Sequence, residues 1–569
     1  MFVVFEGIDG SGKTTISNRV AKELRTRGLA VEHLREGGSF VSKVTQGIRD
    51  FCRDARNMAL TPRAELMLYV AREVQLAEEA LRPALSRADV VIADRYFYTA
   101  EVLACAGRGL APEETAPVLA AAANGLWPDL AFLVDVDPSV ARGRRKVAKI
   151  LSGDRRPVSR KGLTGGGLQL RLRAGYRALA EREPGRWVVV ENSDADLDHV
   201  VATIIECIVQ ARTSRDAAAE VARAKLASHA PRAVAPPIES VEEGKDAFLA
   251  WVDRRAHHEP ALAAYVLAGT AGPGIDERRL VLANTAPRVV ARGLRGLSDA
   301  VSWQLRRSLL EIAPEEIAVS LDDAAAEATE AWTLRELLAD VAPAEVASSL
   351  DGLDDETAWA LRAELFPRAP EAVLASLAHL DSPRAWELRT RWLAERGGLD
   401  AAPATYLRAR ALARSVTGLE SARAWAIRKA ARNNAPVAAL TSLKGTLGGK
   451  AWLWRERAIG RAPKAVLSTI HGVDDPRAWA MREETAPRCR EALDSMAGLD
   501  HPIAWELREK YLDVWAPSVV KSLGVLVNGD RGHQLLLRAL AHHPEQISLL
   551  KQAAIIATGA RLAPAVMAA

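Results

Sequence analysis

Apolar residues are spaced in two different ways along this chain, and the change falls near residue 212. Before it, short continuous apolar runs alternate with stretches of helical periodicity. "MFVVFEG" precedes "TTISNRVAKELRTRG", and "LAVEHL", "DVVIADRY", "LAFLVDVD" and "RWVVVENS" follow with helix-like segments between them. Runs that are apolar throughout read as strands buried on both faces. The pattern therefore predicts an α/β unit over residues 1–211, a parallel sheet with helices on both sides. Residues 212–245 are Ala-rich and then broken by prolines, which reads as a helical extension and a linker.

From residue 246 to 569 the periodicity is helical and it repeats. Trp303, Trp332, Trp359, Trp386, Trp425, Trp452, Trp479 and Trp505 each stand three residues before an arginine. The step is 27 residues from Trp332 to Trp359 to Trp386 and again from Trp425 to Trp452 to Trp479, with one 39-residue step between the two runs. That longer step is one repeat plus an insertion of about a helix. Ala-Pro follows most of the tryptophans, at Pro314, Pro343, Pro370 and Pro463. A proline there suits the first turn of a second helix, where its missing N–H costs nothing. Pro383, Pro476 and Pro502 follow Ser, Asp and His in the same way ahead of the Trp-bearing helix. Two short helices per repeat, stacked in tandem, make an all-α solenoid. An earlier copy keeps Arg279 and Pro287 but has Asp276 in the tryptophan position, the kind of degenerate unit expected to cap the array.

Composition narrows the function classes. The formal net charge of +4 over 569 residues gives no global basic field for nucleic acid. Four scattered cysteines, with no CxxC spacing, suit reduced thiols in a cytoplasmic protein. "MFVVFEG" is too short and too uncharged at its start for a signal peptide, and no run approaches the ~20 apolar residues of a membrane span.

One motif carries chemistry without ambiguity. "GIDGSGKT", Gly7 to Thr14, fits G-x-x-x-x-G-K-[ST] and lies between an apolar strand and a helical pattern. Gly7, Ile8, Asp9, Gly10, Ser11, Gly12, Lys13, Thr14 and Thr15 thus form a candidate ATP-binding loop. Its backbone N–H groups turn toward phosphate oxygens at a helix N-terminus. Lys13 reaches the β/γ-phosphates, and the Thr14 hydroxyl can take a Mg²⁺ position. Asp9 is an odd acid for a loop that only cradles anions; it suits a sugar hydroxyl or metal-bound water.

Further motifs follow in order: "REGGS" (Arg35 to Ser39), "AELMLYVAREVQLAEEALRPAL", "VVIADRY", "PDLAFLVDVDP", the arginine-bearing "SGDRRPVSRKG", and "RLRAGYRALAEREPGRWVVVENS". In content and spacing, residues 1 to about 210 resemble bacterial thymidylate kinase. The resemblance implies an α/β P-loop kinase domain moving a phosphoryl group from ATP, with Mg²⁺, to a nucleoside 5′-monophosphate. Such transfer needs positioning and positive charge more than a base. It implies catalytic roles for Lys13, for Arg95 between donor and acceptor, and for Arg155 in the lid-like segment, with Arg156 and Arg160 in reserve. Asp94 joins Thr14 as a metal-side residue. Asp9, Arg35, Glu36, Tyr69, Arg72, Arg95 and Thr99 fall on the acceptor side. Family members commonly dimerise, so a homodimer is among the assemblies the resemblance allows.

Two departures stand out. Aligned back from "RPAL", Tyr69 takes the family's aromatic position but Glu73 its arginine; aligned on "YVAR", Arg72 takes the arginine but Leu68 the aromatic. After Asp94-Arg95-Tyr96, Thr99 keeps a hydroxyl, whereas Leu103 and Ala104 replace a Tyr-Gln pair that helps read thymine. Loss of buried polar readout weakens base selection and leaves phosphate handling intact.

For the helical repeats, the favoured reading has each tryptophan packed in the core and its arginine stacked on it or paired with an Asp of the inter-helix turn. A surface ladder of guanidinium groups binding a phosphate polymer is the less favoured alternative. A solenoid presents a long surface, so a protein partner or a regulatory role is expected of it. The competing reading of the whole chain is a nucleotide-binding scaffold with a degenerate kinase domain.

Overall fold

The computed structural model describes residues 1–35, 42–153, 159–193, 197–213, 236–322 and 328–558. Two compact units emerge, the first mainly from Met1–Arg145 and residues after Gly166, the second mainly from residues beyond Pro236. Among the described residues no helix is long and apolar enough to cross a membrane.

Each apolar run of the first unit is a strand: β1 (Phe2–Glu6), β2 (Val31–His33), β3 (Val90–Asp94), β4 (Leu130–Asp135) and β5 (Trp187–Glu191). They form one parallel sheet in the order β2-β3-β1-β4-β5. Helix α1 (Lys13–Thr26) follows β1 directly, and α2 (Lys43–Arg53), α3 (Pro62–Leu76) and α4 (Arg82–Leu85) precede β3. After it come α5 (Phe97–Val102), α6 (Pro112–Ala123), α7 (Pro138–Ser152), α8 (Arg160–Leu163), α9 (Gly167–Arg182) and α10 (Leu197–Thr213). Ile16, Val20 and Leu24 of α1 pack with Ile204, Ile205 and Ile208 of α10 on one side of the sheet. Each such fully buried aliphatic side chain contributes roughly 1.5–3 kcal/mol. On the other side, Tyr96 meets Phe2 edge-on at 5.1 Å and Tyr98 meets Trp187 at 4.7 Å. Coverage of both faces is why these strands carry no polar alternation.

Strand β1 is central, flanked by β3 and β4, with Phe5 opposite Asp94. The carboxyl ends of β1 and β3 therefore open side by side, where parallel α/β sheets place their ligands. Two single π-turns, Ala77–Leu81 after α3 and Leu103–Gly107 after α5, each insert one residue into an otherwise α-helical path.

In the second unit the repeat is a Trp-bearing helix followed by a short helix that starts on proline, at Pro314, Pro343, Pro370, Pro436 and Pro463. Asp299, Asp355, Ser382 and Ser421 cap the Trp-bearing helices by accepting from the amide three residues on. Such a cap contributes about 1 kcal/mol. The arginines at 306, 335, 362, 389, 428, 455, 482 and 508 are fully buried, each guanidinium 4.4–4.9 Å from the centre of its own tryptophan ring.

Arg362 shows what this position does. Its Nη2 donates to Leu350 O (2.7 Å) and Ser376 O (3.2 Å), and its Nε donates to Ser376 Oγ (3.0 Å). Those acceptors lie at the C-terminal ends of two successive short helices, so one side chain satisfies carbonyls that helix termini leave unpaired. Arg389 makes the equivalent bonds to Ser415 O, 26 residues on, because the insertion lengthens the connection within its repeat. Burial without a carboxylate partner lowers the Arg362, Arg428 and Arg482 pKa to about 10. The ring faces and carbonyl dipoles stand in for a counter-ion.

The favoured stacking of each arginine on its tryptophan is present; the less favoured ladder and two further readings are revised. Arginines with no exposed surface cannot form a surface ladder for a phosphate polymer. The turn aspartates serve the tryptophans instead, with Trp359 Nε1 donating to Asp354 (2.8 Å) and Trp386 Nε1 to Asp381 (2.6 Å). Those two rings, with Trp332 and Trp425, are only half-buried, whereas Trp479 and Trp505, which donate to Asp474 and Asp500 in the same way, are buried. Finally, the degenerate copy at Asp276 is not terminal. A further pair, Val241–His258 and Pro260–Val266, precedes it. In that degenerate copy, buried Arg279 pairs with Asp276 at 2.5 Å, so a carboxylate takes over from the ring.

Helices Val241–His258 and Ile547–Ala557, the first and last of the helices described beyond Pro236, pack together. Gly244 approaches Ala553 so closely that a Cβ would lie 2.6 Å from its methyl group, and Lys551 Nζ donates to Ala268 O at 2.7 Å. Nothing in the repeat spacing signals this closure.

Candidate functional site

The phosphate loop joins β1 to α1. Gly7 has φ +137°, and a Cβ there would lie 2.4 Å from Val134 O, so no other residue fits beside β4. Asn192, just past β5, donates Nδ2 to Ser11 O at 2.7 Å and braces the loop from beneath. Lys13 is buried; its Nζ donates to Ile8 O (2.8 Å) and lies 3.3 Å from Ser11 Oγ. Burial first, then the nearby Arg95 cation, lowers the Lys13 pKa to about 7. Thr15 is exposed on the outer side of α1.

Thr14 Oγ1 donates to Asp94 Oδ2 across the β1/β3 boundary at 2.6 Å, and Arg35 Nη1 lies 3.4 Å from the same oxygen. Burial alone would raise the Asp94 pKa, but Lys13, Arg35 and Arg95 outweigh it and keep the carboxylate ionised. Asp94 Oδ1 is buried with no hydrogen-bond partner among the described residues. Thr14 and Asp94 thus present a pair of hard oxygen donors with one lone-pair site open, which fits a small divalent cation.

Arg95 has φ +82°, a left-handed conformation that costs a non-glycine residue roughly 1–3 kcal/mol. Its guanidinium is pinned from several sides: Nη2 to Asp9 Oδ1 (2.6 Å), and Nη1 to Thr99 Oγ1 (3.1 Å) and Tyr176 Oη (3.0 Å). Beneath it lies Glu6, fully buried, whose oxygens accept from Tyr96 N–H and Thr99 Oγ1, both at 2.8 Å. Burial raises the Glu6 pKa, with Arg95 opposing. Asp9 is displaced the other way: burial raises its pKa, but Arg95, Lys161 and Lys13 together hold it well below the usual carboxylate range.

On α3 the two competing registers meet. Tyr69 and Arg72 are both buried, and the Arg72 guanidinium lies 4.5 Å from the Tyr69 ring centre, one turn apart on unbroken α-helix. Arg72 also pairs with Glu73. The extra residue is absorbed downstream, in the π-turn at Ala77–Leu81, before "RPAL" begins. Leu103 and Ala104 line a cleft with Leu66, Tyr69 and Arg108, and Arg108 Nε donates to buried Glu65 at 2.7 Å.

The structure therefore gathers Lys13, Thr14, Asp94, Arg35, Arg95, Asp9 and Thr99 at the carboxyl end of the sheet, with Tyr69 and Arg72 on the helix lining the cleft. Glu36, Arg155 and Arg156 lie outside the described residues. Arg160 is not held in reserve for phosphate: it is buried and engaged with Glu65 and Cys52 O. Sequence reasoning missed Glu6, Tyr176, Glu65, Arg108 and Asn192. It also missed Arg49 on α2, whose pKa is lowered to about 10 by burial and then by the neighbouring Arg35, Arg53 and Arg72 cations. Glu6 and Asn192 sit inside the motifs "FEGIDGSGKTT" and "VVVENS", and that was their only signal.

The family model for thymidylate kinase matches residues 5–204. A thymidylate kinase from Solidesulfovibrio magneticus is 37% identical over 192 residues, 34% of this chain and 90% of that protein. One from Nitratidesulfovibrio vulgaris is 35% identical over 211 residues, 37% of this chain and 93% of its own length. One from Lactobacillus delbrueckii subsp. bulgaricus is 35% identical over 210 residues, 36% of this chain and 94% of its own. These relatives are covered almost end to end by the α/β unit, and the helical unit has no counterpart in them. Through residues 5–204, this chain belongs to the thymidylate kinase family.

Proposed function

We propose that residues 1–211 transfer the γ-phosphoryl group of ATP to a nucleoside 5′-monophosphate, dTMP or a related nucleotide, giving the diphosphate and ADP. The helical unit then serves partner binding or regulation, in a cytoplasmic protein; its helix Val241–His258 starts inside the stretch 212–245 that the sequence assigned to an extension and linker, of which 214–235 lie outside the described residues. The single observation that carries this reading is the placement of Arg95. Its guanidinium is held by Asp9 of the phosphate loop and by Thr99 and Tyr176 on α5 and α9, which supports a cation shared by donor and acceptor.

Roles follow from the geometry. The phosphate loop, Gly7 to Thr15, binds the ATP phosphates through its backbone N–H groups, and Lys13 adds a charge at the β/γ end. Arg95 lies where negative charge spreads as an acceptor-phosphate oxygen bonds to Pγ and the bond to the β-phosphate oxygen breaks. Mg²⁺ bound with ATP would neutralise phosphate charge, and Thr14 and Asp94 would hold it. Arg35, Arg72 and Arg49 supply positive charge for the acceptor phosphate, Tyr69 a face for its base, and Asp9 and Thr99 polar contacts near the sugar. Arg155 and Glu36 keep the roles their motifs imply. No general base is required, which suits a site whose acids are all engaged by cations or hydroxyls.

Purified full-length protein with ATP, Mg²⁺ and a panel of nucleoside monophosphates tests the reading, with Lys13→Ala as control. ADP should form with an acceptor and not with the variant. Nucleotide binding with no turnover on any acceptor would remove the enzyme and leave the scaffold reading.

A further inference from the structure

We propose that Glu6 is the positioning residue for Arg95, fixing the left-handed turn that aims its guanidinium; this rests on the reading of Arg95 as the cation shared by donor and acceptor. The sheet ladder between β1 and β3 ends with Arg95 N–H donating to Phe5 O at 3.0 Å. One residue later the chain leaves the sheet, and the Tyr96 N–H has no strand carbonyl to meet. Glu6, the last residue of β1, supplies the acceptor through its side chain: Oε1 lies 2.8 Å from Tyr96 N.

Tyr96 is also the residue before α5, and its own side chain makes no cap. The Glu6 carboxylate takes that place from the neighbouring strand, as its second oxygen accepts the Thr99 hydroxyl proton at 2.8 Å. A single buried carboxylate thus grips the chain immediately after Arg95 and one turn further on. The side chain of Arg95 is tied into the same group. Its Nη1 donates to Tyr176 Oη, Tyr176 lies 3.0 Å from Thr99 Oγ1, and Thr99 donates to Glu6. The direct separation of Glu6 Oε2 from Arg95 Nη1, 3.7 Å, is too long for a hydrogen bond. Glu6 therefore acts on Arg95 through the backbone, through Thr99 and through the charge of this buried ion pair, and it touches no reacting atom.

The geometry suits a glutamate, whose two oxygens accept from the Tyr96 N–H and from the Thr99 hydroxyl. Glutamine of the same length keeps one acceptor, loses the charge that faces Arg95, and makes the Thr99 hydroxyl turn its proton toward Tyr176. Aspartate, one methylene shorter, cannot span both partners.

The test is a double-mutant cycle on the full-length chain, using ATP and the best acceptor of the panel. Glu6→Gln should lower kcat by about 10²-fold, as expected for a displaced catalytic group, while both KM values stay within about threefold. On an Arg95→Ala background the same change should add less than about threefold. Full multiplicative loss in the double variant, or a loss carried by KM, overturns the proposal. Thr99→Val removes one of the two grips together with a contact near the acceptor's sugar, so a smaller kcat loss should accompany any rise in acceptor KM; an unchanged kcat counts against the proposal. A crystal structure of Glu6→Gln gives an activity-free readout: Arg95 should leave positive φ, and retention of that turn and of the Asp9 contact overturns the proposal. Absence of turnover in the unmodified protein is a different failure, that of the kinase reading, and the crystallographic comparison still decides the role of Glu6.

Discussion

The guanidinium of Arg455 lies 4.8 Å from the ring centre of Trp452, one helical turn earlier, and neither side chain has more than 1% of its surface exposed. Arg455 Nη2 donates to Leu443 O and Thr446 O, both at 2.8 Å, and Nε donates to Thr469 Oγ1 at 2.8 Å. Replacing it with methionine keeps the volume but strands these acceptors, each worth about 1–3 kcal/mol when buried and unpaired. Arg455→Met should destabilise the helical unit by about 3–5 kcal/mol in denaturant unfolding followed by tryptophan fluorescence. Arg455→Lys should do no better, since an ammonium lacks the planar fork. A lysine variant as stable as the native chain would show that charge alone serves the position.

Lys13 provides the pH dependence. Burial and Arg95 lower its pKa to about 7, against an ordinary value of 10.5. The folded state therefore binds fewer protons than the unfolded state between about pH 7 and 10.5, and its stability relative to a Lys13→Met variant should rise with pH across that window. Phosphate oxygens favour the ammonium, so nucleotide binding at pH 8 should take up a proton. Calorimetry in buffers of different ionisation enthalpy measures this directly. Zero uptake, or equal uptake by Lys13→Met, rules the assignment out.

The open oxygen of Asp94 predicts a metal phenotype. Asp94→Asn keeps the shape but removes the charge that faces Thr14, and the Mg²⁺ concentration for half-maximal rate should rise by about 10–100-fold. Chelation should abolish turnover in both forms. Unchanged Mg²⁺ dependence in the variant would move the metal elsewhere.

Acceptor choice should be loose. Leu103 and Ala104 leave the cleft beside Tyr69 and Arg108 largely apolar. Apolar fit alone distinguishes similar ligands by about 10–200-fold, whereas polar readout reaches far higher ratios. The kcat/KM ratio between dTMP and dCMP should fall in the lower range, and Ala104→Gln should raise it at least about tenfold. A native ratio of about 10⁴ or more would place the readout on other residues.

Much of this molecule was legible beforehand. Val90–Asp94 is apolar to its end and then charged, which announced both a strand buried on two faces and the position of Asp94 and Arg95. The spacing of Gly7, Gly12 and Lys13 announced the phosphate loop, because a turn of that kind is a local property of a few residues. Tyr69 and Arg72 were both visible, but their relation was not. Whether a helix absorbs an extra residue in a π-turn depends on what it packs against, and that information lies in α5 and β3 rather than in α3.

By itself the sequence determined the elements, their periods and the motif chemistry, since these depend on neighbours within a turn or a strand. The tertiary structure alone decided which charged groups are covered. Glu6 meets Tyr96 and Thr99 across some ninety residues of chain, and nothing local to any of them records the encounter. The Trp-x-x-Arg spacing placed ring and guanidinium on one helical face, but only the stacking of successive repeats buries that face and turns the arginine toward carbonyls. The packing of Val241–His258 against Ile547–Ala557 is likewise a sum of small rotations between repeats, a quantity that no single repeat contains.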